Sequence, residues 1–137
     1  MTADISYGNI ALYDIALIGI TVSGITEKEL EANMSGHDDI HQYLPLTEST
    51  YYILLALAEP MHGYGVMQNV DNLSEGTVKI GPGTLYGTFQ TLEKENLIVK
   101  VGEEERRKIY TLTPKGREVL KLQVDRLRIM VRSGSTV

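Results

Sequence analysis

At 137 residues the chain suits one domain and leaves little room for a second. Its 42% hydrophobic and 23% charged residues are ordinary for a globular protein, and the absence of cysteine excludes disulfides and thiolate metal sites. The net charge of −5 argues against a broadly basic surface, but it is unevenly spread: residues 1–44 carry 1 base against 7 acids, and residues 45–137 carry 12 bases against 11 acids.

Residues 1–44 read as an acidic extension. Ile10 to Val22 is its longest apolar run, fit for a buried strand or helix, short for a membrane span and interrupted by Asp14. No basic region followed by an apolar core and a small-residue cleavage site precedes it. A soluble, cytoplasmic protein without a membrane partner is the expectation. Thr26 and Glu29 have capping-box spacing and Ile25 with Leu30 forms a hydrophobic staple, so a short helix is expected from about Glu27 to Met34, stopped at Gly36. Pro45 marks the boundary.

From Thr47 the pattern sharpens. Thr47 can cap a helix with Glu48 in its first turn, where the macrodipole favours a negative charge. Tyr51, Leu54, Leu55 and Ala58 follow at helical spacing, and Glu59-Pro60 ends the run. A second helix begins near Gly63-Tyr64, with Val66, Met67, Val70 and Leu73 along one side and Asn72, Ser74 and Gly76 at its exit. Gly81-Pro82-Gly83-Thr84 opens a third, in which Leu85, Phe89 and Leu92 face the core. Asn96 stands where a left-handed residue ends that helix. Leu97 to Val101 and Lys108 to Leu112 read as two strands joined by a charged tip, Gly102 to Arg107. Thr113-Pro114 starts a last helix with Leu120, Val124, Leu127 and Val131 in one stripe and Met130 beside it. The fold class is therefore mainly α with a β-hairpin wing. Three helices and a hairpin form a winged helix-turn-helix at residues 45–113, whose third helix commonly enters the major groove of DNA, and residues 114–137 form a C-terminal helix.

The sequence resembles the PadR family of bacterial and archaeal regulators over roughly residues 45–132. The matching residues are Leu46-Thr47 before Tyr52-Ile53-Leu54, His62-Gly63-Tyr64-Gly65, Gly81-Pro82-Gly83-Thr84-Leu85-Tyr86, Leu92-Glu93, Leu97-Ile98, Arg106-Arg107-Lys108 with Tyr110, and Leu112-Thr113 followed by Gly116. Each is weak alone; together, at these separations, they are highly specific. Gly87 stands where the family often has Pro, Asn96 where Gly is usual, and residues 1–44 match nothing in the pattern. The resemblance implies a homodimeric repressor that binds double-stranded operator DNA, with the C-terminal helix as dimerisation arm.

The third helix presents Thr84, Gly87, Gln90, Thr91 and Lys94 away from its apolar side. Gln reads adenine edges, Thr meets phosphate or a thymine methyl, and Lys neutralises phosphate; a plain solvated face is the competing account. Tyr86 lies on the flank and, by resemblance, contacts the DNA backbone. Arg106, Arg107 and Lys108 would lie along phosphates, unless Glu103, Glu104 and Glu105 merely neutralise them. Lys79 is a fourth candidate contact. Leu120, Val124, Leu127, Met130 and Val131 are the candidate dimer interface, with packing inside the subunit as the alternative.

Tyr51, Tyr52, Tyr64 and Tyr110 read first as core; the alternative is a pocket for a small-molecule effector of unidentified kind, which could not use a Trp sandwich because the chain has no Trp. His37 and His41 beside Asp38 and Asp39 are too common a spacing to assign a metal, and no cofactor is expected. Catalysis finds no support: His37, His41 and His62 lack a nucleophile partner, His62 belonging to the turn that leads into the second helix. Gly81-Pro82-Gly83-Thr84 lacks the Lys and spacing of a phosphate loop. The second reading of the whole is a winged-helix module for protein contact, with residues 1–44 as an acidic partner-binding arm.

Overall fold

A computed structural model describes residues 39–137. The apolar run from Ile10, the helix expected at 27–34, His37 and Asp38 lie outside the described residues. The Asp39 carboxylate accepts the His41 backbone N–H at 2.9 Å and so opens a 3₁₀ turn over Ile40–Tyr43. Ile40, Tyr43 and Leu44 pack against the core that the rest of the chain forms.

Helix α1 spans Glu48–Ala56, capped as expected by Thr47, whose hydroxyl accepts the Thr50 N–H at 3.1 Å. It stops short of Glu59-Pro60, because the Leu57 carbonyl is needed elsewhere: it accepts the Leu112 N–H at 3.0 Å and the Thr111 hydroxyl at 3.1 Å. The chain then forms β1, Met61–His62, a strand of 2 residues too short to leave any alternation in the sequence. Helix α2 spans Gly63–Leu73 and buries Val66 and Val70, but Leu73 is 46% exposed rather than facing the core. Ser74 takes the buried place, its hydroxyl accepting the Val78 N–H at 3.0 Å and tying down the linker to the next helix.

Helix α3 spans Pro82–Lys94 with Leu85, Phe89 and Leu92 buried, as their spacing predicts. Asn96 adopts the expected left-handed conformation at φ 61°. Strands β2, Ile98–Glu104, and β3, Arg107–Leu112, pair antiparallel, and β1 pairs with the other edge of β3, so the sheet order is β1-β3-β2. Both strands run further than the sequence indicates. The charged tip shrinks to Glu105 and Arg106, at φ 51° and 67°, the pair of positive values that suits a two-residue hairpin turn.

Helix α4 spans Pro114–Gly134, capped by the Thr113 hydroxyl, which accepts the Gly116 N–H at 2.9 Å and donates to the Asn96 carbonyl at 2.6 Å. Its first half belongs to the core of this chain. Val119 and Leu120 are buried with the core, which corrects the assignment of Leu120 to a dimer surface. Gln123 is also buried, and its side-chain carbonyl accepts the Leu46 N–H at 2.9 Å. Lys115 buries its stem, donates to the Glu95 carbonyl at 3.0 Å and sits over the Tyr43 ring.

The crossing of α4 with the start of β2 is close enough to require a glycine. A Cβ on Gly116 would collide with the Leu97 carbonyl, a backbone group that cannot rotate away. Gly116→Ala is therefore expected to lower unfolding free energy by about 2–3 kcal/mol, the range for overpacking a filled site, read as a lower urea midpoint. A midpoint equal to that of the parent protein contradicts the crossing.

Candidate nucleic-acid interface

The candidate interface lies on the outer side of α3. With Leu85, Phe89 and Leu92 turned inward, the helical period turns Tyr86 and Gln90 outward on the edge nearest the hairpin, and Thr84, Gly87 and Thr91 on the opposite edge. Between α3 and the hairpin lies a groove of about 600 Å³, lined by His62, Gly63, Tyr64, Tyr86, Phe89, Gln90, Glu93, Arg106, Arg107, Lys108 and Tyr110. Its floor is aromatic: the Phe89 ring meets Tyr86 edge-on at 6.1 Å and Tyr110 at 5.0 Å. Its outer wall is the wing.

Tyr86 is 51% exposed yet held in place, because its ring rests on α2 where Gly63 has no side chain. A Cβ on Gly63 would come within 2.6 Å of the Tyr86 hydroxyl oxygen. The hairpin is fixed from the other side by the pairing of Met61 with Tyr110 and of His62 with Ile109. The helix-turn-helix unit and the wing thus share one frame.

Arg106, Arg107 and Lys108 are exposed, and no described carboxylate forms an ion pair with any of them. Of the three wing acids, Glu103 turns to Lys100 at 3.2 Å and leaves the basic run alone. Lys79 is different: its ammonium pairs with Asp71 of α2 at 2.9 Å. Thr84 and Thr91 line a second cleft of about 480 Å³, beside the segment from Tyr43 to Thr50, and Thr91 donates to the Gly87 carbonyl at 3.3 Å. Lys94, in the last turn, lines neither hollow. The sequence-predicted residues therefore fall into two groups, and the groove unites only Tyr86, Gln90 and the three wing cations.

Sequence reasoning missed His62 and Tyr64 as parts of this surface. Tyr64 is 57% exposed on the groove rim rather than in the core, while Tyr51 and Tyr52 are half-buried on α1 and do not line the groove. The His62-Gly63-Tyr64 segment was visible as a motif, but a β1 strand that turns it toward the wing was not.

A protein of this architecture has known counterparts. The model of the Transcriptional regulator PadR-like family matches residues 53–122. The chain belongs to the PadR-like family. Among curated relatives, an uncharacterized 37.1 kDa protein in transposon Tn4556 of Streptomyces fradiae is 39% identical over 70 residues, 50% of this chain and 20% of that one. Transcriptional regulator YqjI of Escherichia coli K12 is 33% identical over 60 residues, 44% of this chain and 29% of that one. Protein X of Lysinibacillus sphaericus is 33% identical over 48% of this chain and 64% of its own. The matched segments thus span less than two thirds of the length of each of these relatives.

Among solved structures, a transcriptional regulator from Clostridium thermocellum, Cth-833, aligns with a TM-score of 0.53 at 24% identity, covering 72% of this chain and 97% of that one. RosR of H. salinarum aligns at 0.52 and 23% identity, covering 66% of this chain and 79% of its own. These likenesses establish the winged-helix fold. PadR-like proteins are transcriptional regulators rather than enzymes, and membership implies regulation through DNA binding.

The groove floor also carries a titration signature. Burial, then the charge of Glu93, then Tyr86 push the Tyr110 hydroxyl above its ordinary value of 10.0. The fold therefore favours neutral Tyr110, and its contribution is complete below the unfolded-state value and lost as pH rises through the folded one. Above pH 10.0 the unfolding free energy of the parent protein is expected to fall more steeply than that of Tyr110→Phe, measured by urea titration at several alkaline pH values. Parallel curves contradict the buried placement of this hydroxyl.

Proposed function

We propose that this PadR-like protein is a repressor that binds operator DNA as a homodimer, with α3 in the major groove and the hairpin along the flanking phosphates. The carrying observation is the groove: exposed Tyr86 and Gln90 on one side face three wing cations without carboxylate partners on the other. In this reading Gln90 meets a base edge, Tyr86 meets the sugar-phosphate backbone, and Arg106, Arg107 and Lys108 neutralise phosphates. Thr84, Thr91 and Lys94 meet backbone on the other edge of α3, and Lys79 joins only by leaving Asp71. Residues 45–113 are then the DNA-binding unit, 114–137 a C-terminal helix whose distal half is the dimerisation arm, and 1–44 an acidic extension.

Dimerisation is supported by the distal half of α4. There Ile129 is 53%, Met130 54% and Val131 67% exposed, and Val124 and Leu127 are only half-buried. An apolar strip of this kind on a helix that projects past its own core suits a self-complementary two-fold contact. A dimer also doubles a small number of DNA-facing cations per subunit.

Replacing both Arg106 and Arg107 with Ala is expected to weaken binding to specific and random duplexes by similar factors. It is also expected to reduce the slope of log affinity against log salt by about one unit per lost contact. An unchanged slope removes the wing from the interface. Gln90→Ala should change preference at one base position per half-site by about 1–3 kcal/mol with thermal stability unaltered. An equal loss on all sequences shows that Gln90 does not read a base.

Leu127→Asp places a carboxylate in the proposed seam, where burial without a partner is costly. A monomer by light scattering that has lost operator binding but kept its circular dichroism is the expected result. Retained dimerisation rules out α4 as the arm.

A further inference from the structure

His62 lies at the junction of β1 and α2, where it does two things at once. Its Nδ1 accepts the Gly65 N–H at 3.3 Å and caps α2. An imidazole nitrogen that accepts carries no proton, so the tautomer that caps α2 bears its proton on Nε2. That Nε2 lies 3.5 Å from the Arg107 guanidinium. The guanidinium has donors only, so in that tautomer two N–H donors converge on one point with no acceptor between them, whereas in the other tautomer Nε2 accepts from Arg107.

The surroundings do not supply the missing acceptor. Arg107 forms no ion pair with a described carboxylate, and of the described acids only Glu93 lines the same groove. Arg106 and Lys108 add positive potential on the wing side, and Tyr64, Tyr86 and Tyr110 bring hydroxyls, which cannot neutralise a cation. Two converging donors, one of them permanently charged, in a groove walled by two further cations call for an anionic oxygen.

We propose that His62 and Arg107 together clasp one phosphate of the DNA backbone, which makes His62 a DNA-contacting residue as well as a helix cap. This rests on the DNA-binding reading above and adds to it a contact that joins the helix-turn-helix unit to the wing. The phosphate bridges His62 at the start of α2 and Arg107 on β3, so bound DNA holds the two parts in their observed register. The contact carries no sequence information, because a phosphate oxygen is the same at every step.

The test uses the full chain and a fluorescein-labelled random 30-bp duplex, read by anisotropy over a salt series at pH 8. His62→Asn keeps a capping side chain for α2 but is too short to carry the Nε2 donor to the phosphate. The expected result is affinity lower by about tenfold, the loss of one hydrogen bond to a charged group, with thermal midpoint and salt slope unchanged. Arg107→Ala lowers both affinity and slope. The double variant binds within about twofold of Arg107→Ala alone, since both side chains hold one phosphate.

Parent-like affinity of His62→Asn, or strictly additive losses in the double variant, overturns the proposal while leaving DNA binding intact. Absence of binding by the parent protein at low salt overturns it together with the DNA reading. Inorganic phosphate added at constant ionic strength is expected to have no effect. If it weakens the parent but not His62→Asn, the pair holds a free anion and the DNA-phosphate assignment is wrong.

Discussion

Strand β3 uses both of its edges, and the arrangement of the rest follows from that. On one side it pairs with β2 over the length of the hairpin, and on the other with the 2 residues of β1. Beyond β1 the Leu57 carbonyl receives the backbone and the side chain of adjacent β3 residues. A free two-stranded hairpin is marginal in water, whereas a third strand and a hydrophobic face give it a fixed position. The wing is therefore not an appendage. Its cations stand opposite α3 because β3 is fastened to the turn that begins α2.

Charge acts here through position rather than amount. The net charge of −5 predicts repulsion from DNA, and the excess of acids over bases is confined to the first 44 residues. Within the described part, acids and bases are sorted: Asp71 takes Lys79, Glu103 takes Lys100, and Asp125 takes Arg128, while Arg106, Arg107 and Lys108 are left without such partners. Surface pairs of this sort contribute little stability. Their consequence lies instead in which cations stay available to a polyanion.

The helices were legible because each carries its own local signals. Thr47 and Thr113 cap, Pro82 opens, Asn96 closes, and Leu85, Phe89 and Leu92 repeat at the helical period. What the sequence hid depends on partners distant along the chain. Strand β1 exists only because β3 offers it an edge, and the early end of α1 follows from the hydrogen bonds drawn to Leu57. Leu120 and Leu127 look alike in a periodic stripe, but the buried Gln123, bonded to the Leu46 backbone, divides a core half of α4 from an exposed half. The candidate site was half legible: Gln90 and the wing cations were proposed from pattern and resemblance, and the groove brings them together, whereas His62 joined them only once β1 turned it toward Arg107.

On the proposed reading, α3, the start of α2 and the wing form one continuous DNA-facing surface. Titrating the isotopically labelled protein with a duplex from the region upstream of its own gene, and following backbone amide shifts, tests it most directly. The shifted amides are expected to cluster at His62–Gly65, along Thr84–Lys94 and at Glu104–Lys108, with the distal half of α4 little changed. Shifts concentrated on α4 or on residues 1–44, with α3 and the wing silent, contradict it.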